Sequence, residues 1–266
     1  MIDFDKLERR LLAKGYRAET AAAKIAHDVV LKAIKAAGFH DNVTIKGGVA
    51  MSGITNVARR ATMDMDFDML RYSISETALR RFVSRLNKSS ECSISIDGTI
   101  RELLQQEYRG KRLNLKITDG KGRSVWTKID VGVHTNERVK QADFNFRIVT
   151  DRTGVKLLAN PREQIFVEKL KSLLRIGFVS TRIKDVYDMC FLAKGLRKSL
   201  VKTYLEIFVY GDPRMRERNV GDIVQRLERV FSNRTFVRRL ANPAFAWLDI
   251  SGENAARTIV EFVRSL

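Results

Sequence analysis

The sequence predicts an α+β fold: a mixed β-sheet core with flanking helices, followed by an α-helical C-terminal domain. Three observations carry this. Residues 5–37 and nearly everything after 160 place apolar side chains at helical spacing. Residues 91–150 break instead into short alternating runs between DG and DGKG turn signals. Only 3 prolines interrupt 266 residues, which favours long helices. The change of pattern sets the domains at 1–155 and 156–266, with the joint near 150–160.

Each element follows in order. DKLERRLLAKGYRAETAAAKIAHDVVLKAIKAAG (5–37) reads as two helices broken near Gly15. VTIKGG (43–48) is a short buried strand running into a diglycine turn, after which helical spacing returns. TMDMDFDML (62–70) has period two, with Asp64, Asp66 and Asp68 on one face and Met65, Phe67 and Met69 on the other. Ser75 is an N-cap candidate for an amphipathic helix. ECSISI, KRLNLKI, SVWTKIDVGV and a weaker FNFRIV are strands. Asn160-Pro161-Arg162-Glu163 fits an N-cap, a proline at the first helical position and a glutamate at the third. Helices are expected over 161–176, 181–195, 197–210, 219–231 and 252–265.

Composition narrows the function classes. Hydrophobic residues make up 44% and charged residues 30%, a globular balance. Cys92 and Cys190 cannot build a disulfide framework, and His27, His40 and His134 form no zinc-binding pair. No run reaches about 18 apolar residues, and MIDFDKLERR lacks a signal-peptide core, so the expected place is the cytoplasm, with no membrane partner. The net charge of +18 points to a polyanion. It divides evenly, +9 in residues 1–150 and +9 in 151–266, so there is no basic tail.

The acidic face carries the chemistry. Like charges about 7 Å apart along one strand face repel, and a divalent cation offsets this through hard oxygen ligands. Asp130, flanked by Ile129 and Val131, can complete the site from a neighbouring strand. Gly47 and Gly48 offer backbone N–H groups between a strand and a helix, the physics of a phosphate cradle. Cradle, carboxylates and basic surface together suit nucleotidyl transfer with Mg2+. A merely acidic exposed sheet face is the bland alternative. Trp126 and Trp247 read as packing anchors rather than base-stacking platforms, and His134 as a turn residue rather than an edge of the site.

Lys46-Gly47-Gly48 through Arg60, Thr62, Asp64, Asp66 and Phe67 resembles motif I of the AbiEii/AbiGii-type nucleotidyltransferase toxins, relatives of the MenT toxins. A second stretch, EKLKSLLRIGFVSTRIKDVYDMCFLAK (168–194), is similar to the family's E-K-L-x-x-L helix followed by R-x-K-D-x-Y-D. The resemblance spans about 43–195. It departs at Gly48, where the wider superfamily carries a serine hydroxyl.

The resemblance implies a nucleotidyltransferase-like core. It implies Asp64 and Asp66 as metal ligands, Asp130 as support for the attacking hydroxyl, and Lys46, Gly47, Gly48, Arg60, Thr62, Lys169 and Arg182 around the nucleotide. Asp185 matches the acidic residue of the second signature. Mg2+ is the implied ion, with Mn2+ as an alternative, and an NTP is the co-substrate. A cognate antitoxin and RNA, specifically the tRNA 3′ end, are the implied partners. The loop bearing Arg214, Arg216 and Arg218 is the candidate RNA contact. Arg182, Asp185 and Asp188 also have the spacing of a plain ion-pair network. Two other functions stay open at this point: transfer to a protein or small molecule, and non-catalytic binding of nucleic acid.

Overall fold

The alternation in DMDFDM decides the centre of the first unit. It forms strand β2 (Asp64–Met69), in the middle of a seven-stranded mixed sheet, in a computed structural model that describes residues 2–103, 110–134 and 136–266. The other strands are β1 (Val43–Lys46), β3 (Ser93–Leu103), β4 (Gly110–Thr118), β5 (Ser124–Val133), β6 (Ala142–Ile148) and β7 (Asp151–Ala159), in the order β3-β4-β5-β2-β1-β7-β6. β2 runs parallel to β5 and antiparallel to β1, and β1 runs parallel to β7.

One face of this sheet is apolar and buried. Register sets Ile45 opposite Phe67, Phe67 opposite Val131 and Met65 opposite Ile129, all fully or almost fully buried. Helices α1 (Phe4–Ala13) and α2 (Ala18–Ala36), separated at Gly15, and the amphipathic α4 (Glu76–Lys88) belong to the same unit. Phe82 of α4 lies 5.9 Å from Phe67, centroid to centroid, so helix and strand share one core. Ser75 caps α4 as expected, accepting from the Ala78 N–H at 3.2 Å.

The chain forms two compact units, Met1–Asn160 and Pro161–Leu266. The second is helical: α5 (Arg162–Ile176), α6 (Ile183–Ala193), α7 (Lys198–Leu205) continued by a π-helical turn to Tyr210, α8 (Val220–Ser232), α9 (Arg234–Leu240) and α10 (Gly252–Arg264). Leu170, Val186, Met189, Leu227, Ile259 and Val263 build its core. Among the described residues no helix is long and apolar enough to cross a membrane.

Four details differ from the sequence reading. Gly47 and Gly48 are not a turn but the first two residues of helix α3 (Gly47–Thr55). Residues 151–159, taken as the joint, are strand β7, which β1 needs as its second partner. Asn160 does not cap α5: its N–H donates to Ile45 O at 3.0 Å, and Glu163 is engaged by Arg197 at 3.1 Å rather than closing a capping box. Helix α9, only seven residues, is additional.

α2 also buries a histidine. His27 Nε2 has no hydrogen-bond partner among the described residues, and burial, helped by the nearby Lys24 charge, pushes the imidazole down to about 3 from 6.5. In that interval the unfolded chain binds a proton that the native imidazole refuses. Stability should therefore fall as pH drops below about 6.5, by up to about 1.4 kcal/mol per pH unit from this group. Thermal melts of wild type and His27→Gln between pH 7 and 4 check this. Parallel profiles for the two proteins would show that His27 carries none of the slope.

Candidate active site

Register brings the charged side chains together on the other face of the sheet. Asp66 lies opposite Lys46 on β1 and opposite Asp130 on β5, and Asp130 lies opposite Arg112 on β4. One row across four strands thus reads Lys46, Asp66, Asp130, Arg112. The next row pairs Asp64 with Lys128. Period-two alternation puts all of them on the face away from Met65 and Phe67.

Asp68, Asp64 and Asp130 each pair with a cation. Lys46 Nζ reaches Asp68 Oδ1 at 2.5 Å, and Lys128 Nζ reaches Asp64 Oδ2 at 2.9 Å. Arg112 grips Asp130 with two bonds of 2.7 Å, from Nε and Nη2. That bidentate bond raises the Arg112 pKa above its ordinary value, and the charges of Asp130, Asp64 and Asp66 act in the same direction. Among the described residues no three potential ligands converge closely enough to hold a metal ion. The donor chemistry still fits a hard divalent cation, because Asp64, Asp66 and Asp130 present carboxylate oxygens on one face with Asp66 and Asp130 in register.

The diglycine has a steric reason. A Cβ on Gly47 would lie 2.3 Å from Asp66 Oδ2, and one on Gly48 would lie 2.4 Å from Thr62 Oγ1. No real Cβ makes such contacts, so the absence of side chains here lets the α3 N-terminus close onto Asp66 and Thr62. The N-cap residue of this helix, Lys46, makes no capping hydrogen bond with its own side chain. Gly47 also has φ +61, in the left-handed region. Gly47→Ala should cost about 1–2 kcal/mol of stability and most of the activity, since Asp66 must move. Gly15→Ala is the control: φ is +85 but nothing lies within 4 Å of its Cβ. It should show a similar loss of melting temperature with activity intact; equal activity in both variants would detach Gly47 from the site.

The remaining sequence candidates fall as follows. Arg60 is buried on a single 3₁₀ turn, and Thr62 packs on Gly48. In the second unit Lys169 of α5 is bonded to Asp185 and, at 2.9 Å, to Asp188, both on α6. Trp247 Nε1 donates to the other Asp188 oxygen at 3.0 Å. Arg182 is exposed just before α6, beside a recess also lined by Lys169, Ser172, Ser180 and Asp185. Arg214, Arg216 and Arg218 are exposed. Arg214 forks onto Asp212 at 2.9 and 3.0 Å, and Arg218 donates to Tyr210 O at 2.9 Å. Arg214 and Lys171 together hold the Asp212 carboxyl well below its usual range. The His134 ring Nε2 lies 3.0 Å from Val139 O, and its backbone N–H donates to Met69 O of β2 at 2.9 Å.

Arg112 and Lys128 were missed by sequence reasoning. Both sit at the solvent-face parity of their strands, so alternation marked the face, but only cross-strand register names the carboxylate each one meets. Trp247 is the buried anchor expected, 2% exposed; Trp126 is not, at 53%.

The family described as "Nucleotidyl transferase AbiEii toxin, Type IV TA system" matches residues 29–244. No curated protein matches the chain. Among solved structures, the crystal structure of an antigenic nucleotidyltransferase-like protein from Paracoccidioides brasiliensis is similar at 14% identity and a TM-score of 0.43. The similarity covers 83% of this chain and 93% of that one.

Proposed function

The chain belongs to the AbiEii nucleotidyl transferase toxin family of type IV toxin–antitoxin systems, and from that premise we propose that it transfers a nucleoside monophosphate from an NTP to RNA, at the tRNA 3′ end, with Mg2+ and with pyrophosphate as the leaving group. A separately encoded antitoxin would be its partner, and the cytoplasm its place of action. The observation that carries this reading is the single sheet face on which Asp64, Asp66 and Asp130 meet the N-terminus of α3.

Asp64 and Asp66 would hold Mg2+, which supplies charge neutralisation and Lewis-acid polarisation of a phosphoryl oxygen. The chain's own groups do the rest. Backbone N–H groups of Gly47 and Gly48 bind triphosphate oxygens, with the Thr62 hydroxyl beside them. Lys46, Lys128 and Arg112 now neutralise carboxylates and are placed to turn to phosphate as negative charge enters. Asp130, fixed in orientation by Arg112, accepts the proton of the acceptor hydroxyl. In the second unit Lys169, Arg182 and Asp185 are assigned to the nucleotide, and the loop of Arg214, Arg216 and Arg218 to RNA phosphates.

The test is incubation of purified protein with total RNA, Mg2+ and each labelled NTP in turn. Label in an RNA species, abolished by Asp66→Ala, is expected. Label confined to a protein or metabolite of a cell extract would overturn the RNA acceptor.

A further inference from the structure

The catalytic face does not end at the carboxylates. Trp126, Lys128 and Asp130 alternate along β5, so the Trp126 indole shares the face of Asp64, Asp66 and Asp130. Trp126 lies four residues from Asp130, about 13 Å along the strand. Its neighbours Val125 and Ile129 are buried on the opposite face, so the core is filled without it.

The indole is 53% exposed at the third residue of β5, where the strand pairs with β4 and pairing with β2 has not yet begun. It is also held in place. Nε1 donates to Asp97 Oδ2 on β3 at 3.1 Å, and Lys116, its cross-strand partner on β4, puts Nζ 5.9 Å from the ring centroid. Around it the face is basic. Lys116 and Lys128 flank the ring, and Arg101 of β3 lies opposite Arg112 of β4. A fixed aromatic surface among cations, continuous with nucleotidyl-transfer carboxylates, is the combination that binds single-stranded nucleic acid: cations follow the phosphates and the ring stacks a base.

We propose that the solvent face of β3–β4–β5 is the track for the single-stranded end of the RNA acceptor, with Trp126 stacking one of its bases. This rests on the RNA reading given above. With the terminal hydroxyl at the level of Asp66 and Asp130, the 13 Å to Trp126 corresponds to about four stacked nucleotides at ~3.4 Å each, fewer if the strand is extended. Specificity would then be for an unpaired end, because a base inside a duplex has no free face to offer.

Fluorescence tests this directly, since Trp126 and the buried Trp247 are the only tryptophans. A single-stranded RNA 12-mer titrated into the full-length protein should quench and blue-shift the exposed component, and a blunt duplex of the same sequence should not. Trp126→Ala should remove that response and weaken binding of the 12-mer about ten- to a hundredfold, the size of one base–aromatic stack. Trp126→Phe should recover part of the affinity, and both variants should keep wild-type melting and NTP binding. If the RNA binds and is labelled with neither quenching nor dependence on Trp126, this inference falls while the RNA acceptor stands; a face reserved for a protein partner would give that result. If no RNA binds or is labelled, both fall.

Discussion

Asp66→Ala will leave a folded protein with transfer reduced at least about a thousandfold, equivalent to about 4 kcal/mol of barrier. Asp66 occupies the middle of the charged row, opposite both Lys46 and Asp130, and the backbone of Gly47 closes onto its Oδ2. No other carboxylate of the strand sits at that crossing. Its removal also relieves repulsion from Asp64 and Asp68, its same-face neighbours on β2, which offsets stability lost with its own contacts. Asp68→Ala gives the contrast. It deprives the half-buried Lys46 of its 2.5 Å partner, which should lower melting while leaving measurable transfer. Thermal melts beside labelled-nucleotide incorporation separate the two; wild-type activity in Asp66→Ala would remove the residue from the metal site.

Lys169→Met should destabilise the second unit by about 3–5 kcal/mol, the usual cost of breaking a buried pair from one side. Lys169 is only 10% exposed, and it is bonded to Asp185 and to a wholly buried Asp188. Without the ammonium, two neighbouring carboxylates face each other, with Trp247 Nε1 still donating to Asp188. One of them should then take up a proton, making the variant less unstable as pH falls. Urea unfolding at pH 5 and pH 8 measures this, and a loss below about 1 kcal/mol at both would contradict the buried-triplet account. The prediction bears on function too. A nucleotide role for Lys169 has to be judged on activity per folded molecule, because instability alone would lower the apparent rate.

The parts of this fold written into local periodicity were legible. The two faces of β2, the Ser75 cap and the broken N-terminal helix pair each depend on neighbours within a few residues. What escaped depends on distant partners. β7 shows clean alternation only at Val155, Leu157 and Ala159, after Gly154 at φ +78, and its identity as a strand rests on pairing with β1 and β6. The Asn160-Pro161 signal had correct local chemistry, but sheet hydrogen bonding to Ile45 claimed the asparagine. In the site, parity alone exposed the carboxylate face and could have flagged Trp126, which shares the parity of Asp130. The ownership of each carboxylate by Lys46, Lys128 or Arg112 is a matter of register, which one unaligned sequence does not contain. Lys169 was found by motif, yet its tie to Asp188 needed α5 and α6 packed together.

Gly48 and Thr62 constrain one another's evolution. The Thr62 hydroxyl stands 2.4 Å from where a side chain at 48 would begin, so the helix and the segment entering β2 compete for one volume. A serine at 48 and a threonine at 62 are mutually exclusive occupants, and the chain can carry its hydroxyl from either side of the cradle but not from both. Exchanging them is therefore a two-step path with a crowded intermediate in one order and a void in the other. The Thr62 Cβ itself would stand 2.7 Å from the added atom, so Gly48→Ser alone should be worse than Gly48→Ser combined with Thr62→Gly, a sign-reversing epistasis confined to these two positions.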